Sequence, residues 1–135
     1  MKSATLASLV TCLALAACAN PAPNPGLGDP YPAPYNDPQV AVLSPDLQPW
    51  LGFDSATVVE DGRRPLQVQV PVRNLTDNQY LIQYRFIFLD ANGMEIQPVM
   101  GWTRQPLEPK QRVRLNAGAL GLDAVDYRLE VRWAR

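Results

Sequence analysis

The second part of the chain predicts an all-β fold. Three observations lead to this prediction: apolar and polar residues alternate along several segments, turn-forming residues separate those segments, and about seven of them fit into about 95 residues. Alternation places one face of each strand in the core and the other in water. The expected architecture is an immunoglobulin-like antiparallel β-sandwich. A core of this size buries about 60–65% of the unfolded surface, which is enough without disulfides.

The alternation is clearest in four segments, and two weaker segments follow the same pattern. The strong segments are residues 66–72, 80–88, 112–115 and 127–133. The weaker ones are residues 56–60 and 94–97.

Turn-forming residues separate the predicted strands. Residues 74–78 (NLTDN) lie between two strong segments and predict a hairpin connection. Asp90 opens the next turn, in which Gly93 is able to take a positive φ. Residues 107–110 (LEPK) form another break, and residues 117–124 are expected to form one helical turn before the last strand.

The N-terminus has the layout of an export signal. Lys2 precedes an apolar run of 14 positions, residues 4–17, whereas a membrane-spanning helix needs about 20 residues. Residues 1–17 are therefore predicted to be a cleaved lipoprotein signal peptide. The alternative is an ordinary cleaved signal.

The residues Leu15, Ala16, Ala17 and Cys18 resemble the bacterial lipobox, in which the cysteine is acylated. Cys12 is a poorer candidate because a threonine precedes it. With Cys18 acylated and Cys12 removed, the mature chain has no free thiol. We therefore expect palmitate-type lipidation at Cys18 and attachment to a membrane through this N-terminal anchor.

Residues 18–38 are predicted to be the lipidated cysteine and a proline-rich tether that precedes a domain at residues 39–135. Seven prolines in residues 19–38 exclude regular strand or helix pairing there. A plain spacer is the main reading, and a docking motif around Tyr31 and Tyr35 is the alternative. Ala19 and Asn20 follow the cysteine where an inner-membrane retention signal has aspartate, which favours the periplasmic face of the outer membrane.

The charges are divided between the two parts of the mature chain. Residues 18–62 hold six acidic and no basic residues, whereas residues 63–135 hold eleven basic and seven acidic residues, a net charge of +4. Such a division is an interaction signal or an incidental property of a solvated surface. A further reading is that the acidic segment 39–62 folds over the basic surface.

Several short motifs within residues 56–133 carry a resemblance to a known family. They are residues 72–74, 84–86, 107–109 and 127–132, together with Asp90, Gly93 and Trp102. On these motifs the segment resembles the YcfL family of small, uncharacterised bacterial envelope lipoproteins. The resemblance implies a signal peptide, a lipid anchor and an immunoglobulin-like sandwich, and no known activity. It also implies a setting near the outer-membrane activators of peptidoglycan synthases.

Catalytic chemistry has little support in the sequence. The chain has no histidine, which removes the commonest general base and the usual zinc ligand. The candidate carboxylates for glycosidase chemistry, Asp90, Glu95, Asp123 and Asp126, are interpreted as turn and cap residues. We therefore expect no enzyme, no cofactor and no metal site.

The basic residues give the better functional hypothesis. Arginines fall on the presumed water-facing side of the strands, and their guanidinium groups suit carboxylates and phosphates. The alternative is a solvated face that blocks aggregation. The candidate binding residues are Arg73, Arg85, Arg114, Arg128 and Trp102.

The three tryptophans are assigned different roles. Trp102 is expected to plug one end of the sandwich, with an exposed ligand platform as the alternative. Trp133 is expected in the core, and Trp50 is expected to seal the start of the domain.

The sequence thus predicts a non-enzymatic binding or adaptor module of the cell envelope, with another envelope protein as its partner and no role for nucleic acid. The alternative is a β-sandwich that binds glycans or lipid A through aromatic and arginine side chains.

Overall fold

The computed structural model describes residues 37–134, which form eight β-strands and one short 3₁₀ helix, Gln48–Trp50. The predicted signal peptide, the predicted lipobox with Cys18 and almost all of the predicted tether lie outside the described residues. Within them, no helix is long and apolar enough to cross a membrane. The strands are β1 (Val40–Val42), β2 (Leu51–Phe53), β3 (Thr57–Val59), β4 (Gln67–Asn74), β5 (Tyr80–Leu89), β6 (Thr103–Leu107), β7 (Arg112–Gly118) and β8 (Asp126–Trp133).

The first sheet, sheet A, has the strand order β1-β8-β5-β6. β5 lies at its centre and pairs antiparallel with β8 over eight residues and with β6 over five. β1 pairs with β8 in parallel, with Val40 opposite Leu129. The prediction of an all-β sandwich is confirmed, and this parallel pair is a correction to the expected all-antiparallel pattern. It arises because the chain enters the domain beside the start of β8 and runs in the same direction.

The second sheet, sheet B, is built around β4. β7 covers one edge of β4 along seven residues. The other edge is shared, because β3 pairs with one half of β4 and β2 with the other half. The predicted weak strand at residues 56–60 is therefore confirmed as β3.

The core lies between the two sheets and is formed by the apolar row of each strand. On β5 the inward residues include Ile82 and Phe86, both fully buried. Leu129 and Val131 of β8 are fully buried beside them. Each such side chain contributes about 1.5–3 kcal/mol through burial, which explains why the period-two pattern determines which face of the strand is inside.

An aromatic cluster closes one end of the sandwich. The ring centroids of Trp50, Tyr80 and Trp133 lie 5.4–5.7 Å from one another. The Tyr80 hydroxyl donates a hydrogen bond to the Trp50 carbonyl at 2.7 Å. Trp133 packs against the core, and Trp50 lies where the chain turns from β1 into sheet B. Trp50 lies at the start of the domain as expected, whereas Trp133, which was expected in the core, is only partly buried and packs against it.

The buried side chain of Asn74 joins the two loops at this end of the sandwich. Its amide nitrogen donates to the carbonyls of Asn78 at 2.7 Å and Glu108 at 2.9 Å. Its amide oxygen accepts hydrogen bonds from the backbone N–H and the hydroxyl of Thr76, at 2.8 and 2.7 Å. The β4–β5 turn is thereby fixed to the β6–β7 turn.

The next turn matches its prediction. The Asp90 carboxylate accepts hydrogen bonds from the backbone N–H groups of Asn92 and Met94, and Gly93 has φ +77°. These contacts assign Asp90 to the turn, as its position predicts.

Four features of the structure differ from the sequence analysis. Residues 94–97 form a single β-bridge, Glu95 to Leu89, rather than a strand, and Pro98 follows directly. Residues 117–124 form no helical turn, because β7 continues to Gly118 in pairing with β4. β6 was not predicted, since its sequence TRQPL alternates weakly. The acidic segment 39–62 enters both sheets as β1, β2 and β3 instead of covering the basic surface.

Candidate functional site

The outer face of sheet A carries two of the predicted arginines, Arg85 and Arg128, together with the predicted Trp102. Arg85 of β5 and Arg128 of β8 point away from the core because they alternate with buried residues. Arg132 of β8 shares this orientation. Trp102 directly precedes β6. Because Thr103 of β6 pairs with Tyr84 of β5, the backbone of Trp102 lies beside that of Arg85. We call this surface the Arg–Trp face, formed by Arg85, Trp102, Arg104, Arg128 and Arg132 with Glu95 and Glu130.

Two guanidinium groups lie on the indole ring of Trp102. The guanidinium carbon of Arg132 is 3.8 Å from the ring centroid, and that of Arg85 is 4.6 Å from it. Both distances fall within the range of a cation–π interaction, which contributes about 0.5–1 kcal/mol at an exposed site. Because Trp102 is only half-buried, the stack holds the two cations at the surface.

Neighbouring side chains hold the arginines of the Arg–Trp face in place. Arg85 Nε is 2.7 Å from Glu130 Oε1, and Glu130 is only 8% exposed. Arg128 bonds Glu95 at 2.6 Å and lies 3.9 Å from Glu130 Oε2. Arg132 Nε donates to Gln83 Oε1 at 3.0 Å. These contacts fix the guanidinium groups, so an acidic ligand meets cations that have already lost much of their rotational freedom.

The Arg–Trp face keeps a positive charge despite these pairs. It holds four arginines and two glutamates, a net charge of +2. Its cations come from three strands or their flanks, which sequence reasoning could not group without the strand order. Glu130 was not identified from the sequence. In the structure it is a buried carboxylate that contacts both Arg85 and Arg128.

The other two predicted arginines lie on the opposite side of the sandwich. Arg73 of β4 stands opposite Arg112 of β7, and Arg114 stands opposite Pro71. The Asp54 carboxylate forms an ion pair with Arg112. The arginines expected on the water-facing side of the strands are thus divided between two sheets, with Arg85 and Arg128 on one face and Arg73 and Arg114 on the other.

Trp102 does not plug the end of the sandwich, which was its favoured role in the sequence prediction. Trp50, Tyr80 and Trp133 fill that position instead. The indole of Trp102 lies outside sheet A, in contact with the arginines. Sequence alternation did not reveal this because Trp102 belongs to the flank of an unpredicted strand.

An apolar pocket between the sheets was also missed by the sequence analysis. It has a volume of about 350 Å³ and lies between Phe86 and Phe88 of β5 and Ala117 of β7. Met100 and Leu120 line it from the two adjoining loops. Neither loop has a regular sequence pattern. The one hint of the pocket in the sequence is the pair of leucines, Leu120 and Leu122, that follows the β7 segment.

Three of the four carboxylates considered for catalysis have other contacts, and the fourth, Asp123, lines the apolar pocket. Glu95 pairs with Arg128, and Asp126 accepts hydrogen bonds from Gln39 and from the N–H of Tyr127. Among residues 37–134, no group of three or more potential metal ligands comes together.

A family model described as "protein of unknown function (DUF1425)" matches residues 39–133. The match covers β1 to β8 and therefore the whole described sandwich. The chain belongs to the DUF1425 family. No curated protein matches it.

Two solved structures resemble this DUF1425 protein. The crystal structure of Campylobacter jejuni cj0090 is 20% identical, with a TM-score of 0.57, over 71% of this chain and 98% of that chain. A DUF1425 family member from Shewanella sp. pv-4 is 23% identical, with a TM-score of 0.56, over 63% of this chain and 79% of that chain. At these identities the similarity establishes the fold of the DUF1425 domain.

Proposed function

We propose that this DUF1425 protein is a lipid-anchored adaptor of the bacterial envelope that binds an acidic surface of another envelope protein through the Arg–Trp face. The observation that carries the proposal is the stacking of Arg85 and Arg132 on Trp102. A sheet face whose only task is solubility does not need its cations fixed in this way.

The chemistry of the face favours carboxylates as the ligand. Arginine presents a planar fork that matches a carboxylate with two parallel hydrogen bonds. Arg85 and Arg132 each make a short contact through Nε to a neighbouring strand. The two cations therefore have a defined spacing, which supports recognition of a particular acidic surface rather than of any anion.

The membrane anchor supplies the location. Acylation of Cys18, with Leu15, Ala16 and Ala17 as the lipobox, would hold the domain at the periplasmic face of the outer membrane. The tether, at about 3 Å per residue when extended, gives the domain a reach of up to about 60 Å. The resemblance to the YcfL family supports a setting close to peptidoglycan synthesis.

A non-catalytic role agrees with the composition of the chain. It has no histidine, and an acylated Cys18 would leave the mature chain without a thiol nucleophile. The competing proposal, a glycan or lipid A binder that stacks a sugar on Trp102, is less well supported. A sugar would have to displace a guanidinium group from the ring.

The decisive experiment compares two double variants with the same change in charge. The Arg85→Glu/Arg128→Glu variant alters the Arg–Trp face, and the Arg73→Glu/Arg114→Glu variant alters the opposite sheet. Full-length proteins, isolated from membranes and matched in thermal stability, are tested for co-purification of envelope proteins at low and high salt. A gentler pair, Arg85→Gln/Arg132→Gln, covers the case in which the first variant is unstable.

We expect the same partner to be recovered by the wild type and the opposite-sheet variant, and to be lost from both variants of the Arg–Trp face. Binding should weaken as salt rises, because the screening length falls from about 10 Å at 0.1 M to about 3 Å at 1 M. Equal recovery by all variants would refute the proposal. Retention on purified peptidoglycan or lipid A, without added protein, would favour the competing one.

A further inference from the structure

The pocket between the sheets opens to solvent at its rim and is larger than the voids found inside a domain core. Protein interiors are packed so closely that few voids exceed the size of a water molecule. A dry apolar cavity of about 150 Å³ is already enough to bind benzene. The pocket here is about 350 Å³, more than twice that volume, and Phe86, Phe88 and Ala117 place it between the two sheets.

Most of the residues that line the pocket are apolar, and Gln97 and Asp123 are the polar ones among them. Phe86 and Phe88 form one wall, and Met100 closes it from the loop before β6. Leu120 lies at the rim and is 85% exposed, and Leu122 beside it is 63% exposed. Such exposed apolar residues around a cavity mark a surface that binds an apolar partner.

The charge at the pocket selects among apolar ligands. Asp123 is the single ionisable residue among the described residues that line it. A carboxylate at the rim repels a free fatty acid and accepts an alkyl chain with an uncharged attachment, such as an ester. The charge therefore favours a lipid acyl chain over its free acid.

The position of the pocket points to the source of that chain. The described chain begins at Asp37, and Gln39 contacts Asp126 at the start of β8. Phe88 and Asp123, which line the pocket, lie at this same end, since Phe88 is paired with Tyr127. If the chain is anchored as in the proposed function, on which this step rests, the pocket opens at the end tied to the membrane.

We propose that the pocket between the sheets binds one acyl chain of a membrane lipid. The volume accommodates up to about fourteen carbons, in proportion to the six carbons of benzene in about 150 Å³. The ester group lies at the rim near Asp123, and the headgroup stays in water. The Arg–Trp face, on the outer side of sheet A, remains open while the pocket is filled.

The test uses photolabelling of the full-length protein in membranes of the producing cells. The probe is a decyl glucoside with a diazirine at the end of its alkyl chain, applied below its micelle concentration. We expect adducts on peptides that contain Phe88, Met100 and residues 117–121. Ala117→Phe, which places a ring in the pocket, should lower the adduct yield about fivefold or more, and Ala91→Phe, on an exposed turn, should leave it unchanged.

A second comparison keeps the test valid if Ala117→Phe unfolds the domain. The same alkyl chain with a carboxylate head should label the pocket about fivefold less than the glucoside, and Asp123→Asn should reduce that difference. Equal labelling of Ala117→Phe and Ala91→Phe, or adducts confined to residues before Asp37, would overturn the proposal. Loss of labelling as protein concentration rises would assign the pocket to a second copy and would also overturn it.

Failure of the pocket proposal is separable from failure of the proposed function. The glucoside probe reaches the pocket whether or not the protein is anchored. Flotation of the protein with vesicles, measured in a separate sample, reports on the anchor. Co-purification by the Arg–Trp face variants reports on the partner.

Discussion

Replacement of Asn74 by alanine tests how the two ends of the sheets are joined. The Asn74 side chain is fully buried and makes short hydrogen bonds to Thr76, Asn78 and Glu108. The loops that it joins have further direct links. Lys110 donates from its N–H to the Thr76 carbonyl at 3.1 Å and from its ammonium group to the Leu75 carbonyl at 2.6 Å. The side-chain amide of Gln79 donates to the Glu108 carboxylate at 2.9 Å. Alanine removes the amide and leaves its partners in place.

The expected cost follows from which partners become unsatisfied. The Asn78 carbonyl keeps a hydrogen bond from the Thr76 hydroxyl, and the Glu108 carbonyl keeps one from the backbone of Gln111. The buried Thr76 N–H loses the acceptor that the Asn74 oxygen provides. One unsatisfied buried donor costs about 1–3 kcal/mol, and the lost bonds to the carbonyls bring the expected total to about 3 kcal/mol.

The assay is urea unfolding followed by tryptophan fluorescence, together with thermal unfolding. A loss of about 3 kcal/mol corresponds to a fall in Tm of about 12–24 °C for a domain of this size. The matched control is Asn116→Ala on the exposed side of β7, which should change stability by less than about 0.5 kcal/mol. Equal, small effects of both substitutions would refute the assignment of Asn74 as the link between the loops.

Four more predictions concern three single side chains. Burial raises the pKa of Tyr80 above its usual value near 10. The free energy of unfolding should therefore be constant below about pH 10 and should fall at higher pH, because the tyrosine ionises more readily in the unfolded chain. Urea midpoints measured above pH 10 should fall less steeply with pH in Tyr80→Phe. Tyr80→Phe also loses the hydrogen bond to the Trp50 carbonyl and should cost about 1 kcal/mol at pH 7 in the same assay. The hydroxyl of Tyr127 is buried and has no hydrogen-bond partner among the described residues, so Tyr127→Phe should be neutral or stabilising, and a loss comparable to that of Tyr80→Phe would contradict this. Cys18→Ser should abolish palmitate labelling and leave unprocessed precursor or released protein; label that persists in this variant would place the lipid elsewhere.

The alternating patterns predicted the inward faces of the strands well. β5 and β8 bury the rows that the sequence indicates, because one face of a strand is either in the core or in water and a slip of one residue would reverse it. Asp90 and Gly93 were predictable for a local reason, since the turn needs a side-chain acceptor and a positive φ.

The grouping of strands into sheets was not predictable from local patterns. Arg73 and Arg85 follow similar alternating segments, yet β4 and β5 belong to different sheets, because pairing depends on contacts between residues distant in sequence. The sequence therefore predicted which residues are candidates for binding, but it did not predict which of them share one surface. β6 was not predicted because it contains Pro106, and proline argues against a strand. The proline is tolerated here because β6 lies at the edge of its sheet, and the segment alone does not show that position.

Cross-linking inside cells tests the central claim, that the Arg–Trp face is the binding surface, most directly. A photoreactive amino acid replaces Arg104 on that face or Arg114 on the opposite sheet, both of which are exposed. We predict that position 104 gives one adduct with an envelope protein, that Trp102→Ala weakens this adduct, and that position 114 gives none. Adducts of equal strength from both positions, or none from position 104 in cells where position 114 gives one, would contradict it.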